Sequence, residues 1–258
     1  MKNCLIFITL LFCSYGMAQT KPLINKRIVY TYAISDEARI RENLKQIDTF
    51  YYNKDKKLLK EVQIKISGTN RVASHMLYEY EKRNNEGKIL EIQSYYIHYT
   101  PAGNISEKPR QLKERWEFIY DNAGNNTETK YYIKNDGEEI KQNQKLSYTY
   151  NKKGEKIEAV IYGPLGDVWF RNYFNYKKGK LISTKEFDGG GKLLKHVEYN
   201  YNGKGDVIKE TEYNSAGNVK SSLSYKYTYN KWGNYTQKQT YEHKKMIGFS
   251  KQEFEYYE

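Results

Sequence analysis

The sequence predicts an all-β fold: an array of antiparallel β-hairpin repeats forming an elongated, twisted sheet that is free to curl. Three observations predict it. An aromatic-x-aromatic pair followed by Asn or Asp, two or three variable residues and Gly recurs along the chain, with another aromatic eight residues after that Gly. The unit reads Phe118-Ile119-Tyr120-Asp121 with Gly124 and Tyr132, Tyr148-Thr149-Tyr150-Asn151 with Gly154 and Tyr162, Tyr199-Asn200-Tyr201-Asn202 with Gly205 and Tyr213, and Tyr227-Thr228-Tyr229-Asn230 with Gly233 and Tyr241. A recurrence of about 25 to 30 residues marks an array of equivalent supersecondary units. A second Gly falls four residues after the closing aromatic at Gly166, Gly191 and Gly217, so each period holds two turns. Finally, 28 Tyr, 9 Phe and 3 Trp supply apolar area to a chain that is only 38% hydrophobic, which points to a thin aromatic layer with water on at least one side.

Each element follows from local chemistry. In residues 1–18, Lys2 precedes an apolar run from Leu5 to Phe12, and Gly16-Met17-Ala18 places small residues where a signal peptidase reads, so cleavage before Gln19 is expected. A lipid anchor on Cys13 is the rival reading, disfavoured by the bulky Phe12 before it. Residues 19–77 read as an N-terminal cap. Arg27 to Ala33 is an edge strand, Ser35-Asp36-Glu37 caps a short helix through Ala38, Ile40 and Leu44, and residues 45–66 form a degenerate first repeat with Lys in place of Gly. Residues 78–258 form the array itself. Side chains two apart on a strand share a face, so each aromatic-x-aromatic pair sets two rings on one side. The following Asn or Asp accepts backbone N–H groups, and Gly supplies the positive φ that closes the hairpin. The apolar residue two after each Gly, as in Ile89, Leu181, Leu193, Val207 and Val219, enters the layer opposite those rings.

Several function classes are excluded or weakened by composition. Cleavage removes Cys4 and Cys13, the only cysteines, and with them disulfides, thiolate metal sites and a Cys nucleophile. His75, His98, His196 and His243 are scattered and match no metal-ligand spacing. Glu138-Glu139 and the Glu210/Glu212 pair read as solvated carboxylates, and Gly189-Gly190-Gly191 lacks the Lys-Ser or Lys-Thr of a phosphate loop. No cofactor is implied, and the chain reads as a non-enzyme. No apolar stretch reaches the roughly 20 residues of a transmembrane helix.

What remains is binding. The mature chain carries 42 basic against 31 acidic residues, a balance that favours anionic partners such as acidic polysaccharide, lipopolysaccharide phosphates or an acidic protein face. Trp232, beside the turn Gly233, is the foremost candidate for stacking on a ligand, with Tyr235 next to it. Trp169-Phe170 and Trp116 are expected to plug the aromatic layer, and Trp169 joins the binding candidates. Export argues against nucleic acid as a natural partner.

The units Phe118-Ile119-Tyr120-Asp121-Asn122-Ala123-Gly124-Asn125 and Tyr227-Thr228-Tyr229-Asn230-Lys231-Trp232-Gly233-Asn234 resemble the YD repeat of RHS and YD-repeat proteins, over residues 78–258 and faintly over 45–77. In that family long arrays wind into a shell that encloses a toxin, or form extracellular adhesive surfaces. This chain holds too few units for a large shell and lacks an Asp-Pro-x-Gly-Leu terminus; Gly163-Pro164-Leu165-Gly166 is only an echo of one. The resemblance implies a small, toxin-free secreted relative. The resulting expectation is an exported scaffold or binding module of the bacterial cell envelope, periplasmic, surface-bound or extracellular, taking anionic glycan or a protein partner. The alternative is an accessory of a polymorphic toxin system, as an immunity protein or an orphan shell fragment.

Overall fold

The computed structural model describes residues 24–33, 44–66, 72–97, 111–135 and 138–256. These form sixteen strands: β1 (Ile24–Ala33), β2 (Leu44–Tyr52), β3 (Leu58–Ile66), β4 (Val72–Arg83), β5 (Ile89–Tyr96), β6 (Gln111–Tyr120), β7 (Asn126–Ile133) and β8 (Lys141–Tyr150), followed by β9 (Lys156–Tyr162), β10 (Val168–Lys177), β11 (Lys180–Asp188), β12 (Leu193–Tyr201), β13 (Val207–Tyr213), β14 (Val219–Tyr229), β15 (Tyr235–Glu242) and β16 (Lys245–Tyr256). Every strand pairs antiparallel with its sequence neighbours, and β1 also pairs with β16, so the sheet closes on itself.

Closure corrects the expected open array. The strand that reads as an edge, Arg27 to Ala33, is the seam: Val29 lies opposite Asp48 on one side and Gln252 on the other. Closing the ring pairs the edge N–H and C=O groups that an open array would leave as a template for aggregation. The proposed cap is likewise part of the ring, since Leu44, placed at the end of a short helix by the sequence, opens strand β2. The rest of that helix, the signal segment and the cysteines lie outside the described residues.

Six of the seven hairpins on the side where β2, β4 and the other even strands end carry the expected chemistry; the seventh, after β10, is the two-residue turn Lys178-Gly179, with positive φ at both residues and no Asn or Asp. In the turn after β8, the Asn151 N–H donates to the Glu155 carbonyl and the Gly154 N–H to the Asn151 carbonyl, while Asn151 Oδ1 accepts from Lys153 and Glu155 N–H. Gly205 and Gly233 hold φ of 92° and 74°. Lys56, φ 63°, takes the same place after β2.

Directly paired residues share a face, so the register assigns every strand an inner and an outer side. On β14 the odd residues Tyr225, Tyr227 and Tyr229 are covered while Lys226 and Thr228 are exposed; on β12 Tyr199 and Tyr201 are covered while Glu198 and Asn200 are exposed. The covered side is the concave one. A residue's worth of register is lost beside each turn, at Tyr150/Lys156 and Tyr201/Val207 for example, and these bulges add the bend and twist a barrel needs. The mixed parity of Ile157, Ala159 and Ile161 against Val160 and Tyr162 has another cause: the register runs unbroken from Glu158 to Tyr162, and Ala159 and Val160, on opposite faces, are both buried, so both faces of β9 are partly covered. With strands about 4.8 Å apart and tilted by about 40°, a round ring of sixteen measures about 30 Å across its backbone, too wide for side chains from opposite walls to fill. Side-chain contacts accordingly run between strands one or two places apart, as from Tyr78 to Trp116 and from Tyr120 to Ile89.

The outer wall is charged. Lys26–Glu255 (2.7 Å), Lys251–Glu253 (2.7 Å), Arg115–Glu117 (3.1 Å) and Arg171–Glu158 (3.4 Å) all lie on it. A lipid-facing Lys or Arg near the bilayer midplane costs about 2–4 kcal/mol, and membrane barrels present an apolar outer band. The ion pairs set this wall apart from such an apolar band, although Ile119 and Tyr173 are also exposed on it. No helix among the described residues is long and apolar enough to cross a membrane.

Candidate binding mouth

All eight even-numbered strands run in one direction and end at one rim, called here the turn rim. Each carries, at or near its end, two inward aromatic rings two residues apart: Phe50/Tyr52, Tyr78/Tyr80, Phe118/Tyr120, Tyr148/Tyr150, Phe174/Tyr176, Tyr199/Tyr201, Tyr227/Tyr229 and Phe254/Tyr256. The repeat seen in the sequence is thus a double ring of rings around the inside of one mouth.

Hydroxyls hold this ring in place. Tyr120 donates to the Ile89 carbonyl (2.8 Å), Tyr150 to Asn126 (2.7 Å), Tyr201 to Leu181 (2.6 Å) and Tyr227 to Val207 (2.7 Å). Ile89, Asn126 and Val207 are first residues of odd strands and Leu181 is a second, and at each the bulge perturbs the ladder. The tyrosine supplies a donor to a carbonyl there. Tyr229 donates to Asp206 Oδ2 (2.5 Å) and accepts from Asn202 Nδ2 (3.0 Å), tying neighbouring turns together. Burial raises the phenol of Tyr148, and burial with the neighbouring Tyr148 hydroxyl pushes Tyr150 up to about 12.

Lysines meet these rings. Lys156 Nζ lies 3.8 Å from the Tyr148 ring centre, Lys204 3.9 Å from Tyr229, Lys238 4.0 Å from Tyr225 and Lys180 5.4 Å from Tyr201. The turn-rim turns (53–57, 84–88, 121–125, 151–155, 178–179, 202–206 and 230–234) carry nine lysines against five Asp and Glu. At the opposite rim the described connections carry three lysines against three acidic residues. Positive charge and aromatic surface coincide at one mouth.

The sequence-based candidates divide between the two ends. Trp232 sits in the turn-rim turn after β14, its N–H bonded to Asn230 Oδ1 (3.0 Å) and Lys231 4.9 Å from its ring. Tyr235 faces inward from β15, edge-on to Tyr227 at 5.4 Å, with burial raising its phenol. Trp169 lies at the opposite rim on the outer face, its indole lying against Gly163, where a Cβ would collide with it. The structure therefore separates Trp169 from the other two, and only Phe170 of that dipeptide faces inward. Trp116 does face inward, stacked on Tyr131 at 5.2 Å. Of the histidines, His196 stacks on Tyr213 outside the barrel, with Nε2 3.9 Å from Glu198, and His243 occupies a turn with φ 47°. Glu210 and Glu212, expected to be solvated, face inward, and Glu212 pairs with Lys195 and Lys220. Sequence reasoning missed Lys156 and Lys238, whose only signal was their position beside the paired rings.

No family model and no curated protein matches this sequence. Among solved structures it is similar to a porin-like protein from Bacteroides uniformis (TM-score 0.45, 8% identity, over 90% of this chain and 98% of that one). A porin-like protein from Bacteroides vulgatus is comparable (TM-score 0.44, 10% identity, 92% and 99%). A likeness to TcdB2-TccC3 (TM-score 0.31, 14% identity) covers 85% of this chain but spans only 15% of that one. These scores carry no functional argument. The resemblance to RHS and YD-repeat proteins is nonetheless corrected: no family model matches, and eight hairpins here close into one complete ring rather than a stretch of open shell. The local Tyr-Asp-Gly chemistry is that of a hairpin with an inward ring pair, which any lineage building such a hairpin can reach.

Proposed function

We propose that this chain is an exported binding module of the bacterial cell envelope, a barrel standing in water that holds a glycan chain in its turn-rim mouth. The observation that carries the reading is the coincidence of a complete inner aromatic ring with the lysine-rich rim. Tyrosine faces offer stacking surfaces for sugar rings, and their hydroxyls, already bonded to backbone carbonyls, keep those faces at fixed angles, so little ordering entropy is lost on binding. Excess positive charge at the same mouth draws in anionic chains and is sensitive to salt. The signal-like pattern of residues 1–18 supports the export part of the reading.

Retention on immobilised glycans tests the reading. The mature chain is expected to be retained by acidic polysaccharide more strongly than by neutral glucan, with retention weakening as salt rises to physiological strength. The double substitution Phe174→Ala/Tyr176→Ala is expected to weaken retention, while Trp169→Ala, at the far rim, leaves it intact. Absence of retention on any glycan at low salt, with the barrel folded, overturns the reading.

A further inference from the structure

The inner wall contains an ammonium group with no counter-charge. Lys156 opens β9 directly opposite Tyr150, and β9 lies between the strands bearing Tyr148/Tyr150 and Phe174/Tyr176. Its Nζ rests 3.8 Å from the centre of the Tyr148 ring. Glu155, its neighbour in the chain, accepts from Asn151 Nδ2 (2.7 Å). Among the described residues no carboxylate pairs with Lys156. Lys238 makes a useful contrast, since Glu210 and Asp206 stand close enough to favour its charge. Burial alone acts on Lys156, and it lowers the ammonium from its ordinary range.

A half-buried cation that meets a ring face but no counter-charge is costly unless something completes it. A round ring of sixteen strands is too wide for side chains to fill, so an anion has room to reach Lys156, which faces inward near the mouth. We propose that Lys156 is the seat of an anionic group, a carboxylate or a sulfate, carried by the glycan held in the mouth. This rests on the glycan reading above and deepens it by naming the ligand class: an acidic sugar whose anion pairs with Nζ while its ring lies along the neighbouring Tyr150 and Tyr176. Arrival of the anion replaces lost hydration with a charge-assisted hydrogen bond and restores the ammonium toward its ordinary basicity.

The test uses the mature chain with three oligosaccharides of matched length: an oligogalacturonate, a sulfated neutral oligomer and an uncharged oligomer. The acidic probes are expected to bind more tightly than the neutral one, and the stronger of the two identifies the anion. Lys156→Gln is expected to weaken acidic binding about tenfold, bringing it to the level of the neutral oligomer. Lys156→Arg keeps most of it, and Lys209→Gln, an outward lysine on β13, changes nothing. As an independent readout, Lys156 acetylation followed by mass spectrometry is expected to slow when the acidic oligomer is bound. Equal affinity of Lys156→Gln and the parent for an acidic oligomer that the parent does bind overturns this assignment alone. Failure of the parent to bind any of the three oligomers overturns the glycan reading and the assignment with it.

Discussion

The inner and outer walls of the barrel come from the same hairpins, yet one residue of parity gives them opposite chemistry. On the outer wall Lys251 and Glu253 meet at 2.7 Å with both side chains about half exposed, and solvent screens the pair. On the inner wall between β2 and β4, Asp48 and Glu61 sit among Gln46, Gln63, Tyr78 and Tyr80, and burial holds both carboxyls above the ordinary range. Glu61 is pushed to about 7, by burial first and by the neighbouring Asp48 second, with the Tyr80 hydroxyl and Arg27 offsetting part of this. For these two pairs of groups, the screened pair on the outer wall and the crowded carboxyls on the inner one, burial and available partners make one charge nearly free and the other expensive.

Exchanging the same carboxylate on the two walls should give the largest contrast. With a folded value near 7 against 4.5, Glu61 binds its proton more tightly folded than unfolded. Its contribution to stability is therefore most favourable below about pH 4.5, is lost as pH rises through 7, and remains an uncompensated cost above that. Glu61→Gln is expected to raise stability at pH 8 by on the order of 2 kcal/mol relative to pH 4, read from denaturant midpoints across that range. Glu253→Gln on the outer wall should stay within about 0.5 kcal/mol at both pH values. Parallel pH profiles for Glu61→Gln and the parent would mean that water reaches the inner wall as freely as the outer.

How much of this was legible in the sequence depends on the range of the signal. Turn positions were legible, because Asn, Gly and the paired rings act within six residues; the turn at 151–155 is where Asn151 and Gly154 place it. The shared face of Tyr148 and Tyr150 was legible for the same reason. Closure was not, because pairing of Val29 with Gln252 leaves no trace in any local window, and an internal strand at the seam looks like an edge. Nor was the inward sense of the rings, which follows only once the ring exists. Lys156 was invisible among so many lysines until the register placed it inside.

Tyrosine hydroxyls give the next contrast. Tyr150→Phe removes the donor to the Asn126 carbonyl (2.7 Å) and leaves that bulge acceptor poorly satisfied, at an expected cost of about 1 kcal/mol. Tyr162→Phe, on the outer face at the other end of β9 beneath Lys145 (4.7 Å), removes a hydroxyl that water can replace and is expected to be close to neutral. Thermal melts of the two variants side by side decide it. A larger loss for Tyr162→Phe would show that the inner hydroxyls are not what holds the mouth.

The smallest expected effect is on the outer ion pairs. Lys251→Ala breaks the contact with Glu253 and is expected to cost roughly 0.2–1 kcal/mol at low salt. Because the Debye length shrinks from about 10 Å at 0.1 M to about 3 Å at 1 M, the difference from the parent should disappear in high salt. The Lys156→Gln change in stability should be far less sensitive to salt, since buried charges are screened much less. A salt-independent loss well above 1 kcal/mol for Lys251→Ala would mean that the outer wall is shielded from solvent, and something other than water would then have to cover β16 and the seam it forms with β1.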